Sequence, residues 1–370
     1  MKNILHLNSD FLYTNIYNLL YNEINLEVES QTVYSALKIS EKELSFSSNK
    51  FNTILSPILN KSDSIFFRKR IKKTYNNLNS QINFNKFDIT HAHFLFTDGA
   101  LALKIFEEYR IPYIVAVRNT DLNLYYKYFP HLKKLGEKIL FNAKKVIIIS
   151  PSYKEKIIKY LSNKNILESK LALIPNGVDD FWIKNQSIER KNKIKNEIKF
   201  IFIGEITKNK NLKQTVGFLD KLSEYFKVKF TVIGKKLDGF KELDLLSKKF
   251  KWIHILPPIY NKIKLKNYYR DCDFFIMLSK TETFGLVYVE SLTQGVPIIY
   301  TKGEGIDGYF QNGEVGYRID IVENSFLDFK LNIKKMVESY DLLSKNCVRQ
   351  SKSFNWNRIS KKYINIYNQI

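Results

Sequence analysis

The chain has 370 residues, 44% hydrophobic and 14% aromatic, which excludes a disordered chain and suffices for two α/β domains with full cores. Its net charge of +22 would attract anionic donors, anionic lipid surfaces and nucleic acid alike, and no nucleic-acid motif accompanies it, so no specific nucleic acid is expected. Lysines solvated around the whole surface account for the charge equally well. Two cysteines, Cys272 and Cys347, cannot make a disulfide framework. With apolar runs well short of about 18–20 residues, the expectation is a reducing cytoplasm, no signal peptide and no membrane span.

In chain order, Lys2 to Leu7 reads as a short apolar strand, followed by Asn8 to Asn15, a loop without glycine. From Phe66 to Leu78, basic residues interleave with Phe66, Phe67, Ile71 and Tyr75 at helical spacing. This is either a basic amphipathic helix for an anionic membrane or a solvated helix with one core-facing stripe. Phe87 to His93 reads as a strand ending in His91-Ala92-His93, with a helical pattern from Gly99 to Tyr109. Two histidines suggest a metal, but no third ligand with metal-site spacing is evident, so no metal is expected. Ile111 to Val117 is another buried strand; Asn119 and Asp121 at its carboxyl end are candidates for sugar contacts or for an Asx turn.

Lys145 to Ser150 is the next strand, and Pro151-Ser152 starts a helix. After Leu171 to Asp179 with its Pro-Asn-Gly turn, the Lys-rich stretch from Lys184 to Glu197 reads as a linker. The second half opens with the strand Lys199 to Ile203 and Gly204, then a loop carrying Glu205, Lys208 and Lys210. Lys229 to Gly234 and Trp252 to Leu256 are further strands. Asp271-Cys272-Asp273 precedes a strand at its amino end, away from any ligand crevice, and implies no metal.

Phe274 to Tyr300 organises the second half. The buried strand Phe274 to Leu278 empties into a loop, Phe284 to Thr293 winds as a helix closed by Gln294-Gly295, and Pro297 to Tyr300 begins the next strand. The free N–H groups of Phe284, Gly285 and Leu286 then form an anion site, and Gly285 admits a ligand close to the backbone. Glu282 before the helix and Glu290 two turns into it can bracket a nucleotide-sugar, with Glu290 accepting from a ribose.

Glu282 and Glu290 eight apart, Phe284-Gly285-Leu286 between them and Gly295-Val296-Pro297 after them together resemble the donor-site motif of the retaining family 4 glycosyltransferases. The resemblance implies an α/β GT-B fold, two Rossmann-like domains with parallel sheets facing across a cleft. The expected boundaries are 1–183, a linker 184–198, a donor domain 199–355, and a terminal helix 356–370 packing back on the first domain. It further implies a hexosyl transfer from a UDP- or GDP-linked sugar to a glycan or lipid-linked glycan, with no required cofactor. Glu282, His93 and Lys210 become the expected catalytic residues, His93 facing the sugar across the cleft. Thr283, Phe284, Gly285, Leu286, Val287, Glu290, Gly204 and Lys208 become the donor-binding set. Glu205 stands where the resemblance places the family's diphosphate-binding arginine; Lys208 substitutes for it, the donor is held differently, or activity is lost. The setting implied is cell-surface polysaccharide or lipopolysaccharide assembly at the inner face of the plasma membrane. A catalytically inactive nucleotide-sugar-binding protein and a basic nucleic-acid-binding protein are the alternatives.

Overall fold

A computed structural model describes residues 1–159, 167–187, 197–322 and 326–370. The chain divides into two compact units. The first comprises Met1–Ile149, Tyr153–Gly177 and Trp356–Ile370; the second comprises Ser150–Ser152 and Val178–Asn355. The crossing after Gly177 precedes the expected boundary at 183, because the short helix Asp180–Lys184 buries Trp182 edge-on against Tyr269 in the second unit. Most of the expected linker, 188–196, lies outside the described residues.

The first unit holds β1 (Asn3–Leu7), β2 (Ser30–Lys38), β3 (Asn52–Leu59), β4 (Ile89–Ala92), β5 (Tyr113–Val117), β6 (Lys145–Ile148) and β7 (Leu171–Leu173), all parallel in the order β3-β2-β1-β4-β5-β6-β7. Strand β5 shows why the run is apolar throughout. Tyr113, Val115 and Val117 face one core, while Ile114 and Ala116 face the other. The helices Phe67–Gln81, Thr97–Tyr109 and Lys133–Asn142 cover the first core. Helices Ile16–Ile24 and Trp356–Asn368 cover the second. Each fully buried aliphatic or aromatic side chain contributes roughly 1.5–3 kcal/mol.

The terminal helix buries Trp356, Ile359, Tyr363, Ile364 and Tyr367, an i, i+3, i+7, i+8, i+11 stripe, on the first unit. Gly177 lies flat against its first residue: a Cβ there would stand 2.4 Å from Trp356 Cδ2. The basic helix follows the one-stripe pattern. Phe67, Ile71, Tyr75 and Leu78 are buried, while Arg68, Lys69 and Lys72 face solvent.

The second unit holds β8 (Glu197–Ile203), β9 (Lys227–Ile233), β10 (Ile253–Leu256), β11 (Phe274–Met277), β12 (Ile298–Thr301) and β13 (Gly316–Ile319), parallel in the order β10-β9-β8-β11-β12-β13. Both sheets reverse direction of growth between their first and fourth strands. A crevice opens at the carboxyl ends of such a pair, where ligands of doubly wound sheets bind. The Asp-x-Asp run lies at the opposite end, where Asp273 accepts the N–H of Lys199 at 2.8 Å.

Candidate active site

In the second unit the crevice is built from the loops after β8 and β11. Gly204 ends β8 at a φ of 151°, and the loop turns through Lys208–Lys210 into Asn211, left-handed at a φ of 54°. Asn209 joins this loop to the one after β11. Its Nδ2 donates to the Thr281 carbonyl at 2.8 Å, and its Oδ1 accepts from the Thr281 N–H at 3.1 Å and hydroxyl at 2.8 Å. The junction brings Lys210 Nζ to 2.6 Å from Glu282 Oε2, both side chains largely shielded. Glu282 is held from its backbone as well, its N–H donating to Glu304 at 2.9 Å and its carbonyl accepting from the Gly305 N–H at 2.8 Å.

The helix after β11 runs Leu286–Thr293, two residues shorter at its start than the expected Phe284–Thr293. Gly285 takes a φ of 79°, and a Cβ there would stand 2.5 Å from Tyr288 Cδ2, so glycine alone fits the turn. The N–H groups of Phe284, Gly285 and Leu286 have no hydrogen-bond acceptor among the described residues, as an anion-binding helix end requires. Thr283 donates its N–H to Glu282 Oε1 at 3.0 Å, and Val287 offers its carbonyl to Tyr269. Gly295 closes the helix at a φ of 66°, the expected left-handed cap.

Glu290 is half-buried and accepts a hydrogen bond from Tyr269 at 3.0 Å. Burial pushes its carboxyl up to about 7, against the opposing pull of that hydroxyl. Glu205, where the family's arginine is expected, is exposed, and its side chain makes no hydrogen bond or ion pair among the described residues. Lys208 is exposed too, its backbone N–H tied to Asp238 at 3.2 Å.

In the first unit, the carboxyl ends of the central strands hold a cavity of about 260 Å³ lined by Ser9, Asp10, Tyr13, Lys38 and Arg70 among others. Asp98 lies beneath it, accepting the Ser9 N–H, and burial raises its carboxyl to about 8. None of these residues stands out in the sequence, because they come from four separate stretches of the chain.

The two expected sugar contacts, Asn119 and Asp121, also make internal hydrogen bonds. Asp121 is fully buried and gathers three backbone N–H groups, from Arg118 at 2.8 Å, Leu95 at 3.0 Å and Phe96 at 3.2 Å. It therefore ties the loops after β4 and β5 together, and it also lines the 260 Å³ cavity. Asn119 accepts from Asn123 and from the Tyr153 hydroxyl.

His93 is likewise fully buried, with Nε2 at 2.9 Å from the Tyr21 hydroxyl and 3.2 Å from His6 Nδ1, so its ring lies inside the core and not at a surface open to a sugar. The expectation that His91 and His93 lack a third partner is also corrected. His6 on β1 lies in register with His91 on β4, and one ring nitrogen from each of the three lies within 4.8 Å of the others. No local spacing could reveal this, since 85 residues separate the two strands' histidines along the chain. Burial holds all three imidazoles well below their ordinary pKa, His6 at about 3.

Residues 184–353 match the family model "Glycosyl transferases group 1", and residues 49–180 match "Glycosyltransferase Family 4". The chain belongs to the family 4 glycosyltransferases. The alpha-monoglucosyldiacylglycerol synthase of Acholeplasma laidlawii is 26% identical over 73% of this glycosyltransferase and 72% of the relative. Sucrose-phosphate synthase from Thermosynechococcus elongatus shares its two-domain GT-B fold, with a TM-score of 0.75 at 14% identity over 100% of this chain and 99% of that one. So does Anabaena Alr3699/HepE, solved in complex with UDP-glucose, at a TM-score of 0.69 and 12% identity over 100% of both chains. No helix of the glycosyltransferase is long and apolar enough to cross a membrane among the described residues.

Proposed function

We propose that this glycosyltransferase moves a hexosyl group from a UDP- or GDP-linked sugar to an acceptor hydroxyl with retention of configuration. The observation that carries the reading is the Lys210–Glu282 pair at the glycine-led helix end Gly285–Leu286, at the carboxyl end of β11 beside β8. In this reading the first-turn N–H groups and Lys210 hold the donor diphosphate, Glu282 orients the sugar, and Glu290 accepts from the ribose. The bond from sugar C1 to the phosphate oxygen breaks as the acceptor oxygen joins C1 on the same face, and the acceptor proton passes to that phosphate oxygen. No protein carboxylate needs to attack, and no dissociable cofactor enters the step.

Glu205 in place of the family's arginine raises a second reading, a donor-binding protein without turnover. Its exposed, unpaired side chain is free to point away from bound phosphate, which supports the active reading instead. On the acceptor side, the 260 Å³ cavity with its mixed acidic, basic and hydroxyl lining suits a polyol. For the setting we favour cell-surface glycan assembly at the cytoplasmic face of the membrane. Ile65 and Phe66 are 73% and 59% exposed beside Arg68 and Lys69, a lipid-seeking pair next to cations.

The test is release of nucleoside diphosphate from a panel of UDP- and GDP-sugars, with the product's anomeric configuration read by NMR. Turnover by the wild type and its loss in Glu282→Gln support the reading. Donor binding without turnover on any acceptor would favour the second one, and an inverted product would remove retention.

A further inference from the structure

Buried polar atoms are nearly always satisfied, so an unsatisfied cluster in the centre of a core calls for a cause. Among the eight such side-chain atoms of the described residues, His91 Nε2 and His93 Nδ1 belong to neighbouring rings. Both rings are fully buried and stack at 3.9 Å between centroids, and the His6 ring lies 5.4 Å from each. The placement follows from topology. His6 and His91 pair across adjacent parallel strands, and His93, two residues on, returns to the same face.

The hydrogen bonds around the cluster decide which nitrogens carry lone pairs. Gln31 Nε2 donates to the Tyr21 carbonyl at 3.0 Å and to Asn25 Oδ1 at 3.3 Å, which fixes its amide and leaves Oε1 facing His6 Nε2 at 3.1 Å. A carbonyl oxygen only accepts, so His6 carries its proton on Nε2 and turns a lone pair inward from Nδ1. On His91 the outer nitrogen, Nδ1, meets the Tyr367 hydroxyl at 2.7 Å. On His93, Nε2 meets the Tyr21 hydroxyl, which already accepts from Asn8 at 2.8 Å and so donates to that nitrogen. The His6 Nδ1 lone pair then faces His93 Nε2 at 3.2 Å, a nitrogen whose own lone pair takes the Tyr21 proton, so the His93 proton sits on the unpartnered Nδ1. His6 and His91 thus have outer partners in Gln31 and Tyr367, the His6 lone pair faces an acceptor, and His91 Nε2 and His93 Nδ1 have no partner.

We propose that His6, His91 and His93 form a binding site for one divalent transition-metal ion, with zinc the ion whose preference for imidazole and low coordination number fits best. Ligation at about 2.0–2.1 Å draws the nitrogens inward from their present 4.8 Å limit, a turn of the rings about their own side-chain bonds. Gln31 and Tyr367 act as the outer partners that orient metal-bound histidines. Tyr21, against His93, is the nearest further oxygen donor. The ion would pin β1 to β4 and, through Tyr367, the terminal helix to both, a structural role that does not rest on the donor-site reading.

The test uses the untagged full chain, expressed in zinc-supplemented medium, with bound metal measured by elemental analysis and thermal unfolding followed with and without chelator. The other two histidines, His131 and His254, are both exposed and serve as the control. The expected result is about one equivalent of metal in the wild type and in His131→Gln/His254→Gln, and its loss in His6→Gln and His93→Gln. Chelation lowers the wild-type midpoint to that of the depleted variants and leaves theirs unmoved. Should those variants fail to fold, refolding the wild type with cobalt gives a ligand-field spectrum of a nitrogen-ligated site. Wild-type chain with only trace metal, no midpoint response and no cobalt spectrum overturns the proposal.

Discussion

Replacing Lys210 separates what the donor site does from what holds it together. Its ammonium stands 2.6 Å from Glu282 Oε2, with side chains 19% and 15% exposed. At an effective dielectric near 20 the attraction is roughly 6 kcal/mol before desolvation, and a charged hydrogen bond retains about 1.5–3 kcal/mol of net stability after it. Lys210→Met leaves the Glu282 carboxylate shielded and near Glu304, which accepts the Glu282 N–H. A loss of about 2 kcal/mol corresponds to a midpoint fall of roughly 4–8 °C for a domain of this size. Glu282→Gln alone leaves the ammonium unpaired and costs a similar amount. The double variant Lys210→Met/Glu282→Gln restores most of the stability, because both charges leave together. Activity should behave differently. If Lys210 stabilises charge developing on the leaving diphosphate, kcat falls by about 10²–10³ in Lys210→Met and is not recovered in the double variant. The assay pairs calorimetric midpoints with steady-state diphosphate release. A Lys210→Met enzyme turning over within threefold of wild type refutes the catalytic argument; additive stability losses refute the pairing argument.

Three further outcomes follow from single contacts. Gly285→Ala forces a Cβ to 2.5 Å from Tyr288 Cδ2 at a φ of 79°, a strain of about 1–2 kcal/mol, and should raise the donor KM about tenfold or more in the diphosphate assay. Gly177→Ala presses the Trp356 indole and should cost about 1–3 kcal/mol by chemical denaturation, less when combined with Trp356→Ala than the two losses summed. For Asp98, whose folded pKa is raised to about 8 above an unfolded value near 4, the stabilising contribution is complete below the unfolded value and is lost as pH rises through the folded one. Asp98→Asn should therefore gain at least about 1 kcal/mol on wild type at alkaline pH and nothing in acid, and parallel stability–pH curves would contradict the assignment.

The donor loop was legible because its chemistry is local. Phe274–Met277, Leu286–Thr293 and Gly295 each obey a short-range rule, of strand burial, helix periodicity or helix capping, and take the expected conformation, whereas Gly285, expected inside the helix, takes a positive φ just ahead of it. Strands β2 and β3 were not legible. Ser30-Gln31-Thr32 and Ser56-Pro57 interrupt the apolar pattern, and their places in the sheet follow from neighbours far along the chain. Asp121 shows the same limit at a single residue. Its sequence context allows a cap or a ligand contact, yet two of its three hydrogen-bond donors come from the loop after β4, some 25 residues back.

The two units show how one strand order is put to two uses. Both sheets reverse between their first and fourth strands, β1 and β4 in one unit, β8 and β11 in the other. After β8 the chain supplies Gly204 and a lysine loop, and after β11 a helix end with unbonded N–H groups, so that crevice suits an anion. After β1 the chain supplies Asn8, 1% exposed and bonded to Tyr21, with no glycine to bring backbone amides near a phosphate. His6, His91, His93 and Tyr21 are all fully buried against that strand pair. The topology offers a crevice in each unit; in the first it is the cavity lined by Ser9, Asp10 and Arg70, in the second a glycine-led helix end beside Lys210.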